Sequence, residues 1–158
     1  MLSFQKKGIL FEDNIHNLLL QTKKSVYRER DIIQSFGKHI TAIDHMIILD
    51  DYCLCIQDKY QQTTVSISQT NHFIKCVRDM SDILKKPCIG LYISRVGLSA
   101  PSNESFKSEN QKLYNNNKFI TLSATIQEEI IKKLTKYLYK KNIFLYDADD
   151  DLIMIDRD

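Results

Sequence analysis

Residues 43–59 of this chain read IDHMIILDDYCLCIQDK. Two apolar runs, residues 44–49 and 52–59, flank the dipeptide Asp50-Asp51, which is a typical turn sequence. The stretch therefore predicts a β-hairpin centred between residues 50 and 51. In that register the numbers of opposite residues add up to 101, so Asp44 lies directly across from Gln57 on the same face of the hairpin.

Polar groups are predicted to converge at the open end of this hairpin. Lys59 lies two residues beyond Gln57 and therefore projects from the face that carries Asp44 and Gln57. Strand alternation turns the side chain of Asp58 to the opposite face, and it turns His45 away from Asp44, which favours a packing role for His45. A carboxylate, an amide oxygen and an ammonium group arranged in this way can hold a divalent cation and a water beside a phosphate.

The arrangement resembles the PD-(D/E)xK nuclease superfamily, in which an Asp is paired with a (Glu/Asp)-x-Lys motif on the next strand. The stretch GILFE at residues 8–12 resembles the superfamily's first helix, which often carries a Glu that completes the site, and Glu12 matches it. The order helix, hairpin, helix, strand is also similar, over about residues 4–95. The Holliday-junction-resolvase and Mrr-like branches are nearest in appearance. This chain departs at one position, because Gln57 stands where an acidic residue is usual.

The resemblance implies an α/β fold of the restriction-endonuclease type, with a three-layer core and a central mixed sheet of about four or five strands flanked by helices. It also implies a hydrolase that cleaves DNA with Mg²⁺ or Mn²⁺, held by Asp44, Gln57 and the backbone carbonyl of Asp58. Lys59 would orient the attacking water or stabilise charge on the phosphate, and Glu12 would be a further ligand of the metal or the water.

Each of these residues also has an ordinary structural interpretation. Asp44 can cap a strand or form a salt bridge, Gln57 and Lys59 can be polar strand ends, and Glu12 can favour a helix N-terminus. The competing hypothesis is a nuclease-fold module that has lost catalysis and binds nucleic acid or a protein partner without cleavage. Gln57 favours that hypothesis, whereas the retained Asp44, Lys59 and Glu12 argue against it. A protein-interaction domain unrelated to nucleic acid is the third hypothesis.

The charge of the chain is unevenly distributed. The net charge is +2, and residues 147–158 hold six Asp and one Arg, a net of −5, which leaves +7 on residues 1–146. A basic body fits a polyanionic partner such as duplex or branched DNA. With no separate recognition domain in view, specificity is expected to come from DNA structure, a homodimer or a partner protein.

The remaining composition predicts an intracellular protein. No apolar stretch approaches the roughly 20 residues of a membrane helix, and the N-terminus lacks the apolar core of a signal peptide. The four cysteines lack metal-type C-x-x-C spacing and favour a reducing compartment. Cys53 and Cys55 share a strand face, so a metal pair is conceivable, but the pattern favours buried structural cysteines.

The domain organisation predicted from the sequence is simple. Residues 1–146 form one nuclease-like domain, and residues 147–158 form an acidic tail that frays or lies on the surface. Residues 99–118 lack periodicity and are rich in Ser and Asn, which predicts a flexible insertion between two core strands. Outside the hairpin, apolar periodicity and a capping box at Ser66 predict three helices and two further strands, over about residues 7–23, 67–84, 126–138, 88–93 and 119–122.

Overall fold

A computed structural model describes residues 3–156 of the chain. The elements follow in the order α1 (Phe4–Leu20), β1 (Tyr27–Arg28), α2 (Glu29–Phe36), β2 (His45–Ile48), β3 (Cys53–Lys59), α3 (Ile67–Leu84), β4 (Cys88–Ser94), α4 (Ala100–Lys112), a short 3-10 helix (Tyr114–Asn116), β5 (Lys118–Ser123) and α5 (Gln127–Lys140). No helix within residues 3–156 combines the length and apolarity needed to cross a bilayer.

The five strands form one mixed sheet in the order β1-β2-β3-β4-β5. The β2–β3 hairpin is antiparallel, and its pairs, such as Met46 opposite Cys55 and Ile48 opposite Cys53, have the predicted register. Strands β3, β4 and β5 run parallel to one another. All seven residues of β4 are buried, as expected for a central strand covered on both faces.

Helices cover both faces of the sheet and complete a three-layer core, so the predicted α/β class with a central mixed sheet is confirmed. One face packs against α2, α3 and α4, and the other packs against α1 and α5. Strand β3 divides its side chains between them by alternation, because Cys53 and Cys55 join the first core whereas Leu54 and Ile56 join the second. Because apolar side chains are buried on both faces, the face of the sheet on which each later side chain of β3 lies is also fixed.

Helix α3 begins as the sequence predicts. The Ser66 hydroxyl accepts a hydrogen bond from the Gln69 backbone N–H at 3.2 Å, and the Gln69 side chain accepts one from the Ser66 N–H at 2.9 Å.

Gly90 of β4 allows two aromatic rings to approach the sheet. A Cβ atom there would lie 2.7 Å from the ring of Phe119 and 3.0 Å from that of Phe73.

The predicted flexible insertion at residues 99–118 is wrong, because most of it is helix α4. The Ser99 hydroxyl caps this helix by accepting from the Ser102 N–H at 3.2 Å. Phe106 is buried in the core, and Glu109 pairs with Arg78 of α3. The sequence conceals the helix because Phe106 is its single large apolar residue, which is too few to produce a visible period.

The predicted acidic tail is only partly right. The aspartates of residues 147–156 are exposed, but the segment folds back onto the domain instead of fraying. The Ile153 N–H donates to the carbonyl of Leu145 at 2.9 Å, and Ile153 and Ile155 pack against the core beside α1 and α5. Residues 157–158 lie outside the described part of the chain. These two isoleucines hold the segment in place, and the many aspartates around them make that anchoring hard to predict from the sequence.

Candidate functional site

The open end of the hairpin brings Asp44 and Gln57 into contact, as the register predicts. With its amide oriented so that the nitrogen faces an ionised Asp44, Gln57 donates to Oδ1 at 3.2 Å and to Oδ2 at 3.0 Å, and it also donates to the carbonyl of Ala42 at 2.7 Å. Both side chains are buried, with 7% of Asp44 and 5% of Gln57 exposed. The carboxylate is therefore held in one orientation by a neutral hydrogen-bond donor.

Asp58 connects the two faces of the sheet at this point. Its backbone N–H donates to Oδ2 of Asp44 at 3.0 Å. Its side chain projects to the other face, as alternation predicts, and its Oδ2 lies 2.6 Å from Nε2 of His45. A contact this short between an imidazole nitrogen and a carboxyl oxygen requires one proton between them.

Glu12 joins this second face from helix α1. Ligand atoms of Glu12, His45 and Asp58 all lie within 4.8 Å of one another. Arg28 flanks the group, with Nη2 3.8 Å from Glu12 and 3.0 Å from Asp13. Four of the predicted site residues thus fall into two adjoining groups, Asp44 with Gln57 and Glu12 with Asp58, and His45 joins the second group. The backbone of Asp58 joins them.

His45 is the site residue that the sequence interpretation missed. Alternation correctly turned it away from Asp44, but it makes a polar contact with Asp58 and does not serve as simple packing. The same alternation placed Asp58 on that face, so the two residues are diagonal neighbours across the hairpin. This diagonal placement, which follows from the hairpin register, could have predicted the contact between His45 and Asp58. The ring of His16 from α1 stacks on His45 at a centroid distance of 5.9 Å.

Burial makes ionisation of this cluster unfavourable. Burial raises the pKa of Asp44 to about 9, with the nearby carboxyl groups of Asp58 and Glu12 adding to the shift. The Asp58 N–H and the Lys59 ammonium oppose that rise in the Asp44 pKa. Burial also raises the pKa of Asp58 well above its usual range and lowers the pKa of His45 to about 4. Without a cation, these acids therefore tend to hold protons at neutral pH.

Lys59 ends β3 half-buried beside the two carboxyl groups. Its ammonium forms no hydrogen bond or ion pair with any residue in the 3–156 range, yet its charge lowers the pKa of both Asp44 and Asp58. The backbone carbonyl of Lys59 accepts from the Arg95 N–H at 3.2 Å. The Arg95 guanidinium lies 5.7 Å from the ring centroid of Tyr60, so a second cation flanks the same end of the sheet.

The donor set fits a divalent cation. Carboxylate oxygens from Glu12 and Asp58 on one face, and from Asp44 on the other, are hard ligands of the kind that Mg²⁺ and Mn²⁺ prefer, and the imidazole beside Glu12 and Asp58 is compatible with Mn²⁺. The buried Nδ1 of His45 has no hydrogen-bond partner within residues 3–156. Gln57 would offer its carbonyl oxygen only after its amide rotates, because the nitrogen faces Asp44 here.

No protein-family model matches the chain, and no curated protein matches it significantly.

Proposed function

We propose that the chain is a metal-dependent nuclease that hydrolyses DNA phosphodiester bonds. The supporting observation is that the buried carboxylate of Asp44 lies against Gln57 and the backbone of Asp58, with the ammonium of Lys59 alongside. These are the residues that resemble the PD-(D/E)xK motif, and the hairpin places them at the end of the sheet where solvent can reach Lys59.

Asp44 would hold Mg²⁺ or Mn²⁺ with an amide oxygen from Gln57 and the backbone carbonyl of Asp58, as the resemblance implies, while the side chains of Glu12, His45 and Asp58 would hold a cation on the adjoining face. A bound divalent cation would polarise the scissile phosphate and lower the pKa of the attacking water. Lys59 would position that water and stabilise the negative charge that develops on the phosphate. Buried carboxyl groups with raised pKa values support this assignment, because a cation is the partner that allows them to ionise together.

The DNA would bind across the end of the sheet that carries Lys59 and Arg95. Lys7 extends this positive surface, since its ammonium lies 5.5 Å from the ring of Phe4, which also contacts the Arg95 guanidinium at 5.6 Å. The net charge of +7 on residues 1–146 favours a polyanionic partner in the same way. The four free cysteines support an intracellular setting, and homodimerisation would be one source of specificity.

The alternative function is a module of the same fold that binds nucleic acid or a protein partner without cleavage. The observation in its favour is that Gln57 already donates to both oxygens of Asp44. An amide in that role satisfies the buried carboxyl group without any metal, and it contributes no negative charge that would attract one.

Plasmid cleavage in Mg²⁺ or Mn²⁺ decides between the two functions. The unmodified chain should nick or linearise plasmid DNA, and Asp44→Ala should abolish the activity. Binding of the same DNA, followed by fluorescence anisotropy, should persist in Asp44→Ala. Absence of cleavage with either cation, together with retained binding, would favour the module that binds without cleavage.

Gln57→Glu should tighten Mn²⁺ binding. The substitution replaces a neutral ligand by a carboxylate and removes the donors that occupy Asp44, so Mn²⁺ affinity should rise by about tenfold, equivalent to about 1.4 kcal/mol. Isothermal titration calorimetry at pH 7.5 measures the effect. Gln69→Glu, at the start of α3, is the matched control and should leave affinity unchanged. Equal or weaker binding in Gln57→Glu would contradict a metal at this position.

DNA affinity should fall steeply with salt. Each phosphate that the basic surface neutralises adds about 0.9 to the magnitude of the log–log slope. Neutralising two exposed tail residues with Asp149→Asn and Asp151→Asn should raise affinity at low salt by reducing like-charge repulsion, without exposing the isoleucines that anchor the tail. Binding that is independent of salt, or undetectable with every nucleic acid tried, would leave the protein-interaction hypothesis.

A further inference from the structure

Three of the four cysteines meet at the other end of the central strands. Cys53 and Cys88 are direct neighbours across the parallel pair β3 and β4, and Cys55 is the next residue on the same face of β3. The three sulfur atoms lie within 4.8 Å of one another, with 3.8 Å between those of Cys53 and Cys55. All three side chains are fully buried, and all three are free thiols.

This spacing fits a metal ion. Three thiolate sulfurs placed about 2.3 Å from a metal in a plane are about 4 Å from one another. We propose that Cys53, Cys55 and Cys88 form a binding site for a soft, thiophilic cation of the class that includes Zn²⁺ and Cu(I). Thiolate ligands select such ions over the hard cations that carboxylates prefer.

The surroundings suit the charge of an occupied site. Three thiolates around a divalent ion carry a net charge of −1, and Lys86 lies within electrostatic reach of Cys53 and Cys88. The Lys86 ammonium is held beside the cluster by the carbonyls of Leu49 and Asp50, at 2.8 and 3.3 Å. A fixed cation within electrostatic reach of the thiolates offsets part of the free-energy cost of burying their charge.

The thiol cluster is separate from the proposed nuclease site. It lies at the start of β3, whereas Lys59 ends the same strand six residues after Cys53, which is about 20 Å along an extended chain. Binding at the thiols therefore does not depend on Asp44 or on the proposed function. The competing explanation is that the cysteines serve only as small apolar residues in the core.

Cadmium is a direct probe of the site, because its thiolate complexes absorb in the ultraviolet. Titration of the full chain with Cd²⁺, in a thiol-free reductant, should give a charge-transfer band that saturates at one equivalent. Cys88→Ser and Cys53→Ala should each weaken binding by about 100-fold or more. Cys76→Ser is the matched control, since Cys76 is equally buried on the same face but lies outside the cluster. It should bind Cd²⁺ as the unmodified chain does.

X-ray absorption spectroscopy of the cadmium-loaded, unmodified chain tests the proposal without any substitution. Three sulfur atoms in the first coordination shell are expected, and competition with Zn²⁺ and Cu(I) then ranks the cations for the same site. A shell of oxygen and nitrogen alone, no charge-transfer band, or equal cadmium affinity in Cys88→Ser would overturn the proposal and leave the cysteines as core residues.

Discussion

Lys59→Met should lower the rate of DNA cleavage by about 100- to 1,000-fold, as removal of one stabilising charge from a transition state does. Methionine preserves the length and apolar stem of the side chain and removes only the ammonium. That ammonium has no partner within residues 3–156 and lies beside two carboxyl groups, so its loss should disturb catalysis far more than packing. Single-turnover cleavage of a labelled duplex, with saturating enzyme and Mn²⁺, measures the effect.

Measurements of DNA binding and a matched control variant separate this catalytic effect from a loss of binding. The salt slope of DNA binding should change by no more than about 0.9, the contribution of one phosphate contact. Lys118→Met, at the exposed start of β5, is the matched control and should leave the cleavage rate unchanged. Cleavage by Lys59→Met at the rate of the unmodified chain would exclude Lys59 from the mechanism.

Asp44→Asn should make the metal-free protein less sensitive to alkaline pH. Asp44 ionises near the ordinary aspartate pKa of 3.8 in the unfolded chain, whereas burial raises its pKa to about 9 in the fold. The folded state therefore retains a proton that the unfolded state loses. Stability from this group is complete below pH 3.8 and declines as the pH rises to about 9. Within that window the free energy of unfolding falls by about 1.4 kcal/mol per pH unit.

The comparison is cleanest above pH 6.5, which is the ordinary pKa of a histidine side chain. The pKa of His45 is lowered by burial, so this residue acts on stability in the opposite direction at more acidic pH. Urea unfolding in a chelator, from pH 6.5 to 8.5, should show a steeper loss of stability in the unmodified chain than in Asp44→Asn. Asp58, whose pKa is also raised, leaves some slope in both proteins.

Mn²⁺ should restore stability to the unmodified chain at pH 8 and have a smaller effect on Asp44→Asn, because a ligand that binds only the folded state stabilises it. Asp51→Asn, in the exposed hairpin turn, is the matched control and should follow the unmodified chain. Parallel pH profiles for the unmodified chain and Asp44→Asn would show that Asp44 does not retain its proton in the fold.

Local patterns in the sequence determined the hairpin, and with it half of the site. The turn at residues 50–51 fixes which residues of β2 and β3 face each other, so the contact between Asp44 and Gln57 was predictable from numbering alone. Alternation likewise placed Asp58 on the opposite face from Gln57. Such relations depend only on residues close in sequence, whose geometry is nearly fixed once a strand forms.

Tertiary structure alone decided the contacts between distant segments. Glu12 meets His45 and Asp58 because α1 packs on one face of the sheet, and Cys88 meets Cys53 because β4 pairs in parallel with β3. Helix α4 has too few apolar residues to be recognised from the sequence. Its Phe106 is buried only because α3 and the sheet form a core around it. The burial of these side chains, and the pKa shifts that follow from it, depend on packing between residues far apart in the sequence, which no local pattern encodes.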